Sequence, residues 1–582
     1  MKDLINKNIL VLGLGSSGLA LARWCVRYGA LVTVADTRSA PPQLQALKRE
    51  LPTVGFVCTE MNEAILGLAA FDMVLRSPGL APASIAGVIT AAQANGIVCG
   101  NELSLFSQAL ADLKADRGYE PKIIGVTGTN GKTTVTSLTG QLVQRAGKSV
   151  AVAGNIGPTL LDTLTEKLDA EPDQKIAWPA SDELTGQVYE SVELSTEPSA
   201  ADEPKQVEKF ESIEEPEAGP DGQLPGELSA IPVSTLCVLS TLPAVPAATV
   251  FLALPDIWVL ELSSFQLDGV DNFEPTVATV LNVTQDHLDW HETVLAYAAA
   301  KARVYGHGLK LLNRDDPLVM TALPPPLPLV RRKQPAARPF LTFGVDSPQR
   351  PGDYGIETVN GVAWLVRAVE ADETFKRRRD EEVVLHIQRL MPLDALRIRG
   401  RHNATNALAA LALGVAAGCS LAPMLHGLRE YRGEPHRLES VAVIRDVEYF
   451  DDSKGTNVGA TVAALAGLGV ERKLVVILGG EGKGQNFSPL AEPVSRYARA
   501  ALLIGRDAAL IRSALEGCGV PLIAASSLDE AVELAAQQAR RGDAVLMSPA
   551  CASFDMFENY EHRGRVFCEA VQALAHEAGA LV

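Results

Sequence analysis

The run Gly128-Thr129-Asn130-Gly131-Lys132-Thr133-Thr134 lies between an apolar, strand-like stretch at 122–126 and a helical pattern at 135–145. In such a loop the backbone N–H groups of residues 128–132 can wrap phosphate oxygens, and the start of the following helix favours negative charge. Lys132 would reach the outer phosphates of a nucleoside triphosphate, and the Thr133 hydroxyl would hold Mg2+. One position departs from the common phosphate-loop spacing: Val126 stands six residues before Lys132, where glycine is usual. The strand–loop–helix setting outweighs that departure.

A second glycine-rich turn, Gly13-Leu14-Gly15-Ser16-Ser17-Gly18, follows a strand-like run and opens a helix, and Asp36 closes the next strand-like run. Here a diphosphate could approach the helix N-terminus while the acid bonds a ribose hydroxyl. Three readings stay open: a dinucleotide site, a site for another nucleotide, or a tight turn that serves only the fold. Nothing later in the chain supplies a hydride-transfer site.

Other chemistry-bearing residues are scattered. Glu261 ends the strand-like run 257–260 and is a hard oxygen ligand suited to Mg2+, or else a surface acid at a strand end. His287 lies in a polar run where a capping or surface role competes with a catalytic one. Lys301 reads, on its own, as a solvated lysine on a helix. Asn403 and Asn406 are three apart and so share a helix face, and Arg437 offers a planar fork for phosphate oxygens.

These residues need a scaffold, and 582 residues exceed one hydrophobic core, so three domains are expected. The first alternates strands (8–12, 31–35, 72–75, 96–99) with a helix at 18–28, which predicts a parallel sheet covered by helices. A polar link at 111–120 leads to the second. The third, from about 433, carries strands at 441–444, 474–478, 501–504 and 544–547 and a helix at 528–540. The domains are therefore 1–115, 116–432 and 433–582, all α/β. The apolar stretch 407–423 is short and rich in Ala and Gly, which suits a buried helix better than a membrane span.

With 47% hydrophobic and 21% charged residues the chain reads as soluble and globular. Its eight cysteines are scattered without a Cys-x-x-Cys pair, which fits thiols in a reducing compartment. The strand-like start suggests no signal peptide. The net charge of −18 argues against nucleic acid, yet residues 165–230 alone hold 18 acids against 4 lysines. That stretch, within a segment spanning about 165–246 whose composition shifts to Glu, Pro, Ser and Ala, is expected to be a disordered insertion. Pro324 to Pro339 and the basic run Lys376-Arg377-Arg378-Arg379 are expected to be exposed loops.

Taken together, several segments resemble the Mur ligase family, and most of all its D-glutamate-adding branch. Besides the loop, these are Gly154-Asn155-Ile156-Gly157, Glu261-Leu262-Ser263-Ser264-Phe265-Gln266-Leu267, Asn282-Val283-Thr284-Gln285-Asp286-His287 and Pro435-His436-Arg437. Asp451-Asp452-Ser453-Lys454-Gly455-Thr456-Asn457 and Ser548-Pro549-Ala550-Cys551-Ala552-Ser553-Phe554-Asp555 follow. The resemblance implies a monomeric, cytoplasmic, ATP-dependent ligase that activates a carboxylate as an acyl phosphate. Its substrates would be UDP-N-acetylmuramoyl-L-alanine and D-glutamate. It further implies an N-terminal Rossmann-like domain for the UDP end, a central P-loop domain for ATP and a C-terminal Rossmann-like domain for the amino acid. Thr133 and Glu261 would hold one Mg2+, and His287 and Lys301, the latter carbamylated by CO2, a second. Asn403, Asn406, Arg437, Asp452 and Lys454 would complete the ATP site. The UDP end would meet Gly15, Ser16, Ser17, Gly18, Asp36, Thr37 and Arg38, with Ser77, Pro78, Gly79 and Asn155 near the sugar. Thr456, Lys483, Ser553, Phe554 and Tyr560 are the remaining substrate contacts implied.

Overall fold

The structure is a computed structural model that describes residues 2–172, 251–323, 340–371 and 384–579. Three sheets organise them. The first has five parallel strands in the order Gly55–Cys58, Leu31–Asp36, Asn8–Leu12, Met73–Arg76, Val98–Asn101. Alternation in the central strand explains its burial on both faces. Ile9 and Val11 pack with Leu21 and Trp24, while Leu10 and Leu12 pack with Ile85 and Val88 on the other side.

The second sheet has nine strands. Its parallel part runs Phe340–Phe343, Leu309–Asn313, Val277–Val280, Lys122–Thr127, Ile257–Glu261, Val150–Gly154. Tyr354–Val359 extends the parallel part past Phe340–Phe343, and antiparallel Val362–Glu370 and Leu385–Pro392 complete that edge. Two buried helices, Lys132–Arg145 and Arg401–Ala416, cover one face and pack on each other. The third sheet has six strands, five of them parallel behind the edge strand Glu439–Ile444.

Several expectations need correction. The supposed polar link at 111–120 is mostly the end of helix Glu102–Arg117, because Leu113 is buried in the core and keeps the helical face continuous. The supposed insertion starts too early: residues up to 170 belong to helix Leu160–Ala170, whose Leu160, Leu161 and Leu164 are buried. Glu171 then closes the base of the insertion, its carboxylate accepting from the backbone N–H groups of Leu252, Ala253 and Leu254 at 2.9, 2.6 and 2.8 Å. The rest of that segment, the loop 324–339 and the basic run 376–379 lie outside the described residues. The stretch 407–423 is buried helix, as expected, but it is split by a turn before a second helix, Leu421–Glu430. Among the described residues no helix is long and apolar enough to cross a membrane.

Candidate functional site

Strand register places the chemistry. Val126, at the end of the strand that feeds the phosphate loop, pairs with Glu261 on one side, and Thr127 pairs with Val280 on the other. The loop thus opens beside the Glu261 carboxylate and beside segment 281–287. Gly128 and Gly131 have φ of +157° and +83°, and a Cβ on Gly131 would lie 2.8 Å from Asn406 Oδ1. Glycine is required at that turn.

Segment 281–287 braces the loop. Asn130 N–H donates to Asn282 Oδ1 (2.8 Å), Thr129 N–H to the Asn282 carbonyl (2.9 Å), and Thr284 N–H to Thr129 Oγ1 (3.0 Å). From the third sheet's side, Asn457 Nδ2 donates to Asn130 Oδ1 (3.2 Å) and Arg437 Nη2 to Thr133 Oγ1 (2.5 Å). The two sides enclose a cavity of about 540 Å³ whose lining includes Lys132, Glu261, His287, Arg437 and Lys454. A neighbouring cavity of about 250 Å³ is lined by Asn403, Asn406, Asp452 and Lys454 among others. The phosphate-loop and ATP-site residues expected from the sequence therefore converge.

Electrostatics in this cavity are shaped by burial. Lys301, 1% exposed on helix Val294–Ala302, donates to the Gly128 carbonyl (2.8 Å) and lies 4.3 Å from the centre of the Tyr297 ring. Burial, reinforced by Lys132, pulls its amine well below the ordinary lysine range. Lys132 donates to the carbonyls of Gly128 (2.9 Å) and Thr129 (2.8 Å), and burial lowers it as well. Burial pushes Asp452 up to about 7, against the opposing hydrogen bond from Ser548 Oγ (2.7 Å), and pulls Lys454 down to about 8. Glu261 is 1% exposed. Its Oε1 accepts from Asn155 Nδ2 (2.7 Å), while its Oε2 is buried with no hydrogen-bond partner among the described residues. A buried, half-satisfied carboxylate beside a phosphate loop is the donor a divalent cation needs. A neutral-leaning buried amine fits conversion to a carbamate, since the unprotonated nitrogen is the nucleophile.

His287 adopts a left-handed backbone (φ +53°) and sits edge-on to Phe265, with ring centres 4.8 Å apart. Asn155, expected near the sugar, is tied through side chain and backbone to Glu261 in the central cavity.

The N-terminal residues cluster apart from these. Asp36 accepts from Leu14 N–H (2.8 Å) and from Arg38 through Nε and Nη2 (both 2.8 Å); Arg38 chiefly holds its carboxyl near 2. A Cβ on Gly18 would lie 2.0 Å from the Gly13 carbonyl oxygen, and one on Gly13 3.1 Å from Ser77 Cβ, so turn and Ser77 are in close contact. On the third sheet's side, Lys483 Nζ lies 5.4 Å from the Phe554 ring, which is 62% exposed, while Ser553 is buried. Lys454 Nζ lies 3.5 Å from the Tyr560 ring centre.

Sequence reasoning named no role for Asp286, Asn282, Asn457, His436 or Arg563. Arg563 is 1% exposed and donates to Ser453 Oγ (3.0 Å), the Ser453 carbonyl (2.8 Å) and the Cys551 carbonyl (3.1 Å). It ties the Asp452–Lys454 turn to the loop that carries Ser553. Asn282, Asp286, His436 and Asn457 all lie inside quoted motifs, which was a usable signal; Arg563 had none.

Family models match most of the described chain. A Mur ligase MurD-like N-terminal domain covers residues 7–100, a Mur ligase middle domain 126–177 and 247–414, and a Mur ligase glutamate ligase domain 436–551. A Polaromonas relative is 53% identical over 669 aligned residues, covering 100% of both chains, and an Albidiferax ferrireducens relative is 55% identical, covering 100% of this chain and 99% of its own. A Burkholderia pseudomallei relative is 47% identical over 98% of each. All three bear the name UDP-N-acetylmuramoylalanine–D-glutamate ligase. Among solved structures, MurF ligase from Thermotoga maritima in complex with ADP aligns with a TM-score of 0.50 and 14% identity, covering 99% of this chain and 97% of that one. That likeness speaks to the fold alone.

Proposed function

Because the chain belongs to the Mur ligase family, we infer that it performs the reaction for which its full-length relatives are named. It is an ATP-dependent ligase that joins the amine of D-glutamate to the L-alanine carboxylate of UDP-N-acetylmuramoyl-L-alanine, a step of peptidoglycan precursor synthesis. The observation that carries this reading is full-length identity of 47–55% to relatives of that one name.

The chemistry follows from the cavity. A carboxylate resists attack because oxide is a poor leaving group, so phosphorylation must precede the amine. Loop N–H groups of residues 128–132 and Lys132 hold the triphosphate tail, and Arg437, already beside Thr133, neutralises charge on the transferring group. The phosphoryl group passes to the alanine carboxylate; the amine then forms the C–N bond and phosphate leaves. Asn403, Asn406, Asp452 and Lys454 receive the nucleoside, and contributions from both sides of the cavity set reactant alignment.

Thr133 and Glu261 would hold one Mg2+, and His287 with Lys301 as a carbamate a second, supplying positive charge between the anions. Gly15, Ser16, Ser17, Gly18, Asp36, Thr37, Arg38, Ser77, Pro78 and Gly79 would receive the UDP-sugar, with Asn155 at its reactive end. Thr456, Lys483, Ser553, Phe554 and Tyr560 would receive D-glutamate. The division into 1–115, 116–432 and 433–582 follows the same assignment. We place the enzyme in the cytoplasm as a monomer. Phosphate release from ATP with UDP-N-acetylmuramoyl-L-alanine and a panel of amino acids tests the reading: D-glutamate should stimulate it, and stimulation by another amino acid alone would overturn it.

A further inference from the structure

We propose that His436, its ring fixed by Asp451, accepts the proton released when the D-glutamate amine attacks the acyl phosphate. The proposal rests on the ligation reading above. His436 Nδ1 lies 2.6 Å from Asp451 Oδ2, and only 16% of the histidine side chain is exposed against none of the aspartate's. Asp451 is itself fixed, since its Oδ1 accepts from Ser453 N–H at 2.8 Å. The His436 backbone is pinned on both sides. Its N–H donates to Glu439 Oε2 (3.0 Å) and its carbonyl accepts from Lys454 N–H (3.1 Å). Helix Tyr560–Glu577 closes over the pair at Gly564, where a Cβ would stand 2.2 Å from Nδ1 and 2.9 Å from Asp451 Oδ2. Glycine there lets the helix shield the His–Asp hydrogen bond while the ring borders the reaction cavity. With Nδ1–H committed to Asp451, the Nε2 lone pair is the acceptor.

The other groups lining the cavity suit the task less well. In the proposed function Lys132 and Arg437 meet the phosphates as cations, and Lys454 meets the nucleoside. Glu261 and His287 are proposed metal ligands, and Asp286 Oδ2 lies 3.6 Å from His287 Nε2. Burial pushes the Tyr560 phenol up to about 12. Glu434 accepts from Tyr431 Oη (2.8 Å), and it and Glu561 are carboxylates, weak bases towards an ammonium. Groups facing the imidazole from all sides are Asp451, Glu439, Arg437, Lys454, Tyr560, Glu561, Glu434 and, against Asp451, the Cys568 thiol. In the step, the unprotonated amine attacks the acyl carbon and the C–N bond forms. One N–H proton passes to His436 Nε2, the C–O bond to phosphate breaks with its electron pair leaving on phosphate, and the imidazolium then returns its proton to water.

The test separates the two half-reactions. In His436→Gln, acyl phosphate trapped by borohydride should stay within a few-fold of wild type while amide formation with D-glutamate falls about a hundredfold or more. Hydroxylamine, a weakly basic amine whose nitrogen loses its proton readily to water after attack, should still give the hydroxamate at a near wild-type rate. The acidic limb of the kcat profile should vanish in His436→Gln. In Asp451→Asn amide formation should fall while acyl phosphate persists, because the ring loses the acceptor that fixes its Nδ1–H. Parallel loss of acyl phosphate and amide in both variants, or an acidic limb that persists in His436→Gln, would overturn the proposal. A wild-type protein that forms no D-glutamate amide would instead overturn the ligation reading.

Discussion

Asp452 should cost the folded chain stability near neutral pH, and Asp452→Asn should recover it. The carboxyl is 8% exposed and is held by Ser548 Oγ at 2.7 Å and by the Leu438 N–H, and burial raises its pKa from 3.8 to about 7. The folded state therefore binds this proton more tightly than the unfolded chain. Well below pH 4 both states are protonated and the contribution is fully present; as pH rises from there the unfolded chain ionises first, and the contribution is lost by the time pH has passed through 7. A rise of about three tenfold steps in proton affinity corresponds to roughly 4 kcal/mol in all, of which about 2–3 kcal/mol falls between pH 5 and pH 8. Asparagine keeps the shape and carries no charge, and Ser548 Oγ can turn its proton to Thr461 Oγ1, 3.0 Å away. Urea unfolding of both proteins at pH 5 and pH 8 measures the difference. The variant's advantage should be larger by about 2–3 kcal/mol at pH 8, while its affinity for ATP falls. An advantage that does not change with pH would show that Asp452 is ionised in the folded protein and that the burial argument fails.

Lys301→Ala should lower turnover about a hundredfold or more, and bicarbonate should restore CO2-depleted wild type but not the variant; near-normal turnover in the variant would remove the carbamate. Gly18→Ala puts a methyl group 2.0 Å from the Gly13 carbonyl oxygen. It should weaken UDP-sugar binding about tenfold or more and leave ATP binding unchanged, as calorimetric titration of each ligand would show. Replacing residues 173–250 with a short Gly-Ser linker should change stability by no more than about 2 kcal/mol and turnover by a few-fold, because Glu171 already brings the two ends together.

The phosphate loop was legible because its chemistry is local: strand, glycines, lysine and helix are contiguous in the chain. Lys301 was legible only through the family resemblance, since the burial that changes its chemistry comes from residues such as Tyr297 and the Gly128 carbonyl, which fold around it. Arg563 gave no signal at all. A charged residue in an amphipathic helix reads as surface, and only tertiary contact with Ser453 and Cys551 reveals its burial. Residues 165–170 were misread because a composition window dominated by acids and prolines downstream masked the buried leucines at 160, 161 and 164. The antiparallel strands Val362–Glu370 and Leu385–Pro392 went unread, since they flank the basic run and pair with each other across it, while Val362–Glu370 pairs on its other side with Tyr354–Val359.

The clasp at Glu171 has a meaning for descent and for engineering. A single carboxylate gathers three consecutive amides at the point where the acidic segment leaves and rejoins the sheet. The clasp predicts that sequence between those two points can lengthen, shorten or be exchanged with little consequence for the remainder. The same junction is a natural port for splicing in a foreign reporter domain.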